Sequence, residues 1–289
     1  MNEIELKQKF TNLTIWKKSG QRAPHKPLLI LYALGEFQKG KTNLQYEEVR
    51  EKLKNLLIEF GPPRKSYHPE EPFVRLLGDG IWDLTFPIDK RNFSDKLLLR
   101  ESVAGGFNNE VIELLQKNNQ LVQEITSQIL QEHFPETMHE DILEEVGLNN
   151  SLYYKKHRDP EFRERIIRAY EYSCVVCGFN VRLGRNLVAI EAAHIKWHQV
   201  GGPDIEQNGI ALCSLHHKLF DRGVFTISFD NRLLVSEDAH GTSGFEEWLM
   251  RFHGKNLRQP IRPEYAPKDS FIHWHVKEVF RGPERFIYM

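Results

Sequence analysis

Two short pairs of metal-ligating residue types constrain this 289-residue chain more than any other feature. Cys174-Val-Val-Cys177 is followed, after thirty-five intervening residues, by Cys213-Ser-Leu-His216. Each pair leaves two residues between its members, the spacing at which two turns can close a tetrahedral Cys3His zinc site. The second pair lies on an expected helix, where positions i and i+3 share a face. The surrounding stretch is loop-rich with little obvious core, so a structural Zn2+ ion would add cohesion that packing does not. The alternative, a redox CxxC, would be expected within a βαβ pattern, and none surrounds it. Three cysteines make no disulfide framework, and a reducing, cytoplasmic setting is the expectation.

The net charge of −1 conceals an uneven distribution. Residues 131–150 hold six acids and no Lys or Arg, whereas residues 151–190 hold eight Lys or Arg against four acids. Either both stretches are solvated helix faces, or a near-neutral total hides a basic face suited to nucleic acid. No apolar run reaches the roughly 18 residues of a membrane span. The start, MNEIELKQKF, is charged from its third residue, unlike a secretory signal. No membrane partner is expected.

Composition switches from acidic to basic near Gly147-Leu148-Asn149-Asn150-Ser151, which predicts two domains, 1–148 and 149–289. In the first, Pro27 opens the apolar run LLILYAL. Val49, Leu53, Leu56, Leu57 and Phe60 form a helical stripe over 46–60, stopped by Gly61-Pro62-Pro63. Further helices are expected at 109–117, 119–133 and 137–146. The segment PFVRLLGDGIWDLTF predicts a β-hairpin around Gly78-Asp79-Gly80. The expected class is therefore α+β, with a mainly helical N-terminal domain whose hairpin gives a winged-helix-like layout. In the second domain, Asp159-Pro160 caps a helix that turns Phe162, Ile166 and Tyr170 inward.

Between the two ligand pairs the chain reads Glu191-Ala-Ala-His194-Ile, then Asn208-Gly209-Ile-Ala-Leu-Cys213, then His216-His217-Lys-Leu-Phe-Asp221. In this order, with the CxxC upstream, the set resembles the HNH nuclease motif, the ββα-metal finger, over roughly residues 170–230. The resemblance implies phosphodiester hydrolysis with His194 as general base, Asn208 fixing the loop that orients it, and His217 as ligand of a catalytic Mg2+ or Mn2+ ion. His217 lies one residue beyond His216, about 100° further round a helix, so one can face zinc and the other the catalytic cleft. The chain departs from the commonest pattern, which has Asp immediately before the base, where Ala193 stands here. Glu191 points to the same strand face as Ala193 and is the expected second ligand, with Asp221 the alternative. His198 and Trp197 are given no role.

The N-terminal half carries Arg22-Ala-Pro-His25-Lys26-Pro27, FGPPRKSYHPEEPFVRL at 60–76, DGIWDL at 79–84 and VAGGF at 103–107. These phrases, with the order of domains, resemble type IV restriction endonucleases that join a sulfur-binding domain to an HNH nuclease. The resemblance implies recognition of double-stranded DNA carrying phosphorothioate. Sulfur is larger, more polarisable and less hydrated than the oxygen it replaces, so its reader needs an apolar wall beside cations for neighbouring phosphates. Tyr67, Pro69, Pro72 and Phe73 are the candidates for the wall, and Arg22, His25, Lys26, Arg64 and Lys65 for the donors. The prolines and Phe73 have an equal alternative in packing the hairpin. The expected whole is a modification-dependent endonuclease whose nuclease half reads little sequence, with a homodimer suggested by the need to cut two strands. Its competitors are an HNH nuclease reading another modification or plain duplex, and a zinc-stabilised DNA-binding protein that does not cleave.

Overall fold

The computed structural model describes residues 1–15, 20–148 and 160–287. It divides into two compact units, Met1–Lys156 and His157–Met289. Most of the expected domain break, and the expected cap Asp159, lie outside the described residues.

In the first unit, α1 (Glu3–Thr11) starts from a reciprocal capping box between Asn2 and Glu5. The apolar run after Pro27 leaves no polar face to its helix. In α2 (His25–Gln38) every residue from Lys26 to Glu36 is buried. A helix of that kind has to be enclosed, and the rest of the unit is built round it. The elements that follow are β1 (Leu44–Gln45), α3 (Tyr46–Phe60), α4 (Glu70–Arg75), β2 (Trp82–Leu84), α5 (Asp95–Arg100), β3 (Ala104–Phe107), α6 (Asn109–Lys117), α7 (Asn119–His133) and α8 (His139–Val146). Helices α3, α4, α7 and α8 all pack on α2. The stripe expected on α3 is buried along its length, and Asn108 and Asn118 cap α6 and α7 through Val111 N and Gln120 N.

The hairpin expected around Gly78-Asp79-Gly80 does not form. Residues 70–75 are α4, which runs into a 3-10 turn over Leu76–Asp79 and stops at Gly80 with φ +67°. A short, mostly apolar run such as Pro72–Leu76 cannot by itself distinguish strand from helix, and Gly80 serves as a left-handed helix terminator rather than a hairpin turn. In place of the winged-helix-like hairpin there is a three-stranded antiparallel sheet with β3 between β1 and β2. Trp82 pairs with Phe107 and Leu44 with Gly105. The GG of VAGGF has a steric reason: a Cβ on Gly106 would lie 1.9 Å from the Thr42 carbonyl oxygen.

The second unit contains α9 (Pro160–Ala169), the short hairpin β4 (Arg182–Leu183) and β5 (Asn186–Leu187), then β6 (Ile190–His194), β7 (Gly209–Cys213) and α10 (Ser214–Asp221). It closes with β8 (Phe225–Ile227), β9 (Leu233–Val235), α11 (Ser243–Trp248) and α12 (Asp269–Glu278). Strands β6 and β7 are antiparallel, in register from Ile190 opposite Cys213 to His194 opposite Gly209. Helix α9 lies on this pair and buries Phe162, Ile166 and Tyr170, the three positions expected inward. Among the described residues no helix is long and apolar enough to cross a membrane.

Candidate active site, metal centre and modified-DNA surface

The CxxC pair sits on a knuckle tied to the finger's second strand. Gly178 N donates to Cys174 O, and Val175 N donates to Ala211 O on β7. Cys213 ends β7 and His216 lies on the first turn of α10. One donor atom from each of Cys174, Cys177, Cys213 and His216 falls within 4.8 Å of all the others. His216 Nδ1 is 3.7 Å from Cys174 Sγ and 3.1 Å from Cys213 Sγ, and Cys177 Sγ is 3.9 Å from Cys213 Sγ. A tetrahedral zinc with Zn–S near 2.3 Å and Zn–N near 2.0 Å requires S–S edges of about 3.8 Å and S–N edges of about 3.5 Å. The donor set therefore fits the ion. His216 Nε2–H donates to Trp248 O at 2.8 Å, which leaves the Nδ1 lone pair aimed at the sulfurs. Hydrogen bonds from Cys174 and Cys177 hold the Cys213 thiol far below its ordinary range, the state a metal ligand needs.

On the other side of α10, His217 is held between two carboxylates. Burial works against its charge, but Asp221 and Glu191 together outweigh that and carry its pKa up to about 9. Glu191 Oε2 is 2.6 Å from Nδ1, and Asp221 Oδ2 is 3.2 Å from Nε2. Glu191 also accepts from Ser214 Oγ at 2.7 Å. The two carboxylates thus occupy opposite ring nitrogens. Their side chains are 42% and 2% exposed respectively, so only the Glu191 side opens to solvent.

His194 ends β6. Its ring stacks on Phe162 of α9, with centroids 4.1 Å apart and planes at 17°. Its Nε2 lies 2.7 Å from Asp204 Oδ1. Asn208, wholly buried, closes the loop between β6 and β7: its Oδ1 accepts from Lys196 N, and its Nδ2 donates to Lys196 O and Pro203 O. Asp204 is the residue that the sequence reading missed. Its only local signal is an acid in the GGPDI stretch of that loop, which points to no partner by itself.

In the first unit the candidate DNA-facing residues separate into two groups. His25 is held neutral, its pKa lowered to about 4 by burial first and then by the nearby His68 and Arg64 charges. Tyr67 is half-buried, with its hydroxyl 3.4 Å from Arg64 N, and Lys65 and His68 are exposed. Pro69 is buried beside them. The other group is more deeply buried. Lys26 Nζ meets Asp79 Oδ2 at 2.5 Å with both side chains under 10% exposed. Arg22 is buried and donates to Phe60 O. Phe73 is fully buried between Tyr46 and Trp82, with centroids at 5.0 and 5.9 Å, and Pro72 is buried next to it. These four side chains lie in the buried part of the unit.

A ββ-strand pair followed by a helix, with Asn208 locking the intervening loop, is the finger of the HNH endonucleases, and the model of an HNH endonuclease family matches residues 174–228. The model of the ScoMcrA-like DNA sulfur-binding domain matches residues 3–151, just over half of the chain. The chain belongs to this ScoMcrA-like sulfur-binding family, with an HNH endonuclease domain after the sulfur-binding domain. Among solved structures, the chain is similar to the sulfur-binding domain of SprMcrA in complex with phosphorothioated DNA. That match has 18% identity and a TM-score of 0.45, covering 51% of this chain and 95% of that one. For the corresponding ScoMcrA domain complex the values are 17%, 0.42, 49% and 94%. For the modification-dependent restriction endonuclease TagI they are 22%, 0.30, 45% and 40%. No curated protein matches the chain significantly.

Proposed function

We propose that this chain is a modification-dependent endonuclease of the restriction type. Residues 1–148 bind double-stranded DNA at a phosphorothioate, and residues 149–289 hydrolyse a phosphodiester nearby. The observation that carries this reading is the presence, in a chain of the sulfur-binding family, of an HNH finger that retains His194, Asn208 and His217 in one ββα unit. A finger that had become a binding module would not need all three.

In this mechanism His194 accepts a proton from water, the resulting hydroxide oxygen bonds to phosphorus, and the bond to the 3′ oxygen breaks. A divalent cation, Mg2+ or Mn2+, held by His217 and Glu191, supplies the positive charge that the scissile phosphate and leaving oxygen require. Asp221, buried on the other nitrogen, orients the His217 ring rather than sharing the ion. Cys174, Cys177, Cys213 and His216 hold a structural Zn2+ that keeps β7 and α10 together. At the modified phosphate, Tyr67 and Pro69 offer the sulfur an apolar surface, and His25, Arg64 and Lys65 serve the surrounding backbone.

The test compares one duplex in unmodified and phosphorothioated forms, with wild-type and His194→Ala chains. Wild type should bind and cut only the modified duplex, with a preference between the two phosphorothioate stereoisomers because a fixed surface faces one non-bridging position. His194→Ala should bind equally and lose about 10²–10⁴-fold in cutting. Equal binding of both duplexes at every salt concentration would overturn sulfur reading. Binding of the modified duplex without cutting would leave a non-cleaving binder.

A further inference from the structure

We propose that Asp204 is a positioning residue for His194, resting on the reading of His194 as general base. A carboxylate only accepts hydrogen bonds, so at 2.7 Å the Nε2–H of His194 donates to Asp204 Oδ1. A neutral imidazole carries one N–H, and placing it on Nε2 puts the lone pair on Nδ1. Nδ1 is then the atom that takes the water proton, and Asp204 stabilises the imidazolium that results. The proton moves from water to Nδ1; Asp204 neither gains nor loses one.

The surroundings hold Asp204 in place from several directions. Its own carbonyl accepts from Arg165 Nη2 at 2.8 Å, and Arg165 is in turn paired with Glu206 at 3.2 Å. The preceding carbonyl, Pro203 O, accepts from the buried Asn208 side chain at 2.9 Å. Gly202 passes so close to the chain that a Cβ there would lie 1.8 Å from Lys196 O, which keeps the loop tight. Phe162 meanwhile covers one face of the His194 ring. Asn208 therefore acts on the base through Asp204: it closes the loop that presents the carboxylate. Charged or titratable groups around the pair include, among the described residues, His198, 4.0 Å from Asp204 Oδ2, and Arg165 on α9 with its partners Glu161 and Glu206.

The experiment uses the full chain with Asp204→Ala, Asp204→Asn and Asp204→Glu. Its readouts are duplex binding, single-turnover cleavage across pH, and the His194 tautomer by nitrogen NMR. Asp204→Ala should bind modified DNA as wild type does, yet cut about 10- to 100-fold more slowly. The acidic limb of its rate profile should move to lower pH by about one unit, because losing a nearby negative charge makes the imidazole less basic. Asp204→Glu should restore part of the rate, and wild type should show the proton on Nε2. A residue that merely stapled the loop would lower the rate at all pH values without moving the limb, and that result overturns the proposal. So does an Nδ1 proton on wild-type His194, or an Asp204→Ala variant with unchanged rate. A wild-type chain that cuts no DNA would instead remove the nuclease reading itself. Should Asp204→Ala unfold, the Asn variant carries the same comparison with shape preserved.

Discussion

Removing the Asp79 carboxylate tests whether Lys26 belongs to the core or to the DNA surface. Lys26 and Asp79 are 9% and 2% exposed as side chains, 2.5 Å apart, and Asp79 also accepts from Thr14 N at 2.8 Å. Asp79→Ala leaves an ammonium buried without its counter-charge and an amide without its acceptor. Breaking one side of a buried pair costs about 3–5 kcal/mol. For a unit of roughly 150 residues that is a fall of roughly 6–20 °C in Tm. The assay is calorimetry of the full chain, following the transition that phosphorothioated duplex raises, since a ligand stabilises the unit it binds. The double variant Lys26→Met, Asp79→Leu should recover most of the loss, because replacing both partners with apolar groups is often near neutral. Its DNA affinity should keep the wild-type salt dependence, while Lys65→Ala should reduce the salt slope by about one. The reasoning is refuted if Asp79→Ala melts with wild type, or if Lys26→Met lowers the salt slope without lowering Tm.

Three further outcomes are expected. Metal analysis should find about one tightly held zinc per chain; Cys177→Ser should lose it with the fold of the second unit, whereas His217→Ala should keep both, and zinc-free chain that melts normally would contradict the site. His25 titrates near 6.5 when unfolded but at about 4 when folded, so the unfolded chain binds more protons between these values. Its contribution to stability should be complete above about pH 6.5 and fall by about 2–3 kcal/mol as pH drops to 4, a slope that His25→Gln should flatten in urea titrations at several pH values. Gly209→Ala places a Cβ 2.3 Å from Ile166 Cδ1 and 3.0 Å from Phe162 Cζ, and Phe162 is the ring stacked on His194. It should cost about 1–3 kcal/mol and slow cutting more than it weakens binding; wild-type stability and rate together would show that the packing is looser than described.

Much of the helical framework and the metal-ligand set was legible in the sequence because the controlling interactions are local. The stripe of α3 and the spacing within each of the two Cys and His pairs depend on residues within a few positions of one another. The run from Pro72 to Leu76 misled because its apolar spacing suits either a short helix or a strand. The choice was made by Phe73 packing between Tyr46 and Trp82, and by β3 taking the place beside β2 that the hairpin would have occupied.

What only the tertiary structure decided is which polar groups meet. Lys26 finds Asp79 across 53 positions, His217 finds Glu191 across 26, and His194 finds Asp204 across ten. A charged side chain in a sequence has no direction: Lys26 reads equally well as a phosphate ligand or as half of a buried pair. Burial makes the decision, since a charge removed from water has to be matched where the fold puts it. The sequence by itself determined the side chains available to this chain: a Cys3His set, a histidine closing a strand and two adjacent histidines on one helix. The packing of α2 and the loop closed by Asn208 determined which of its many acids and bases meet one another and which are buried in the core.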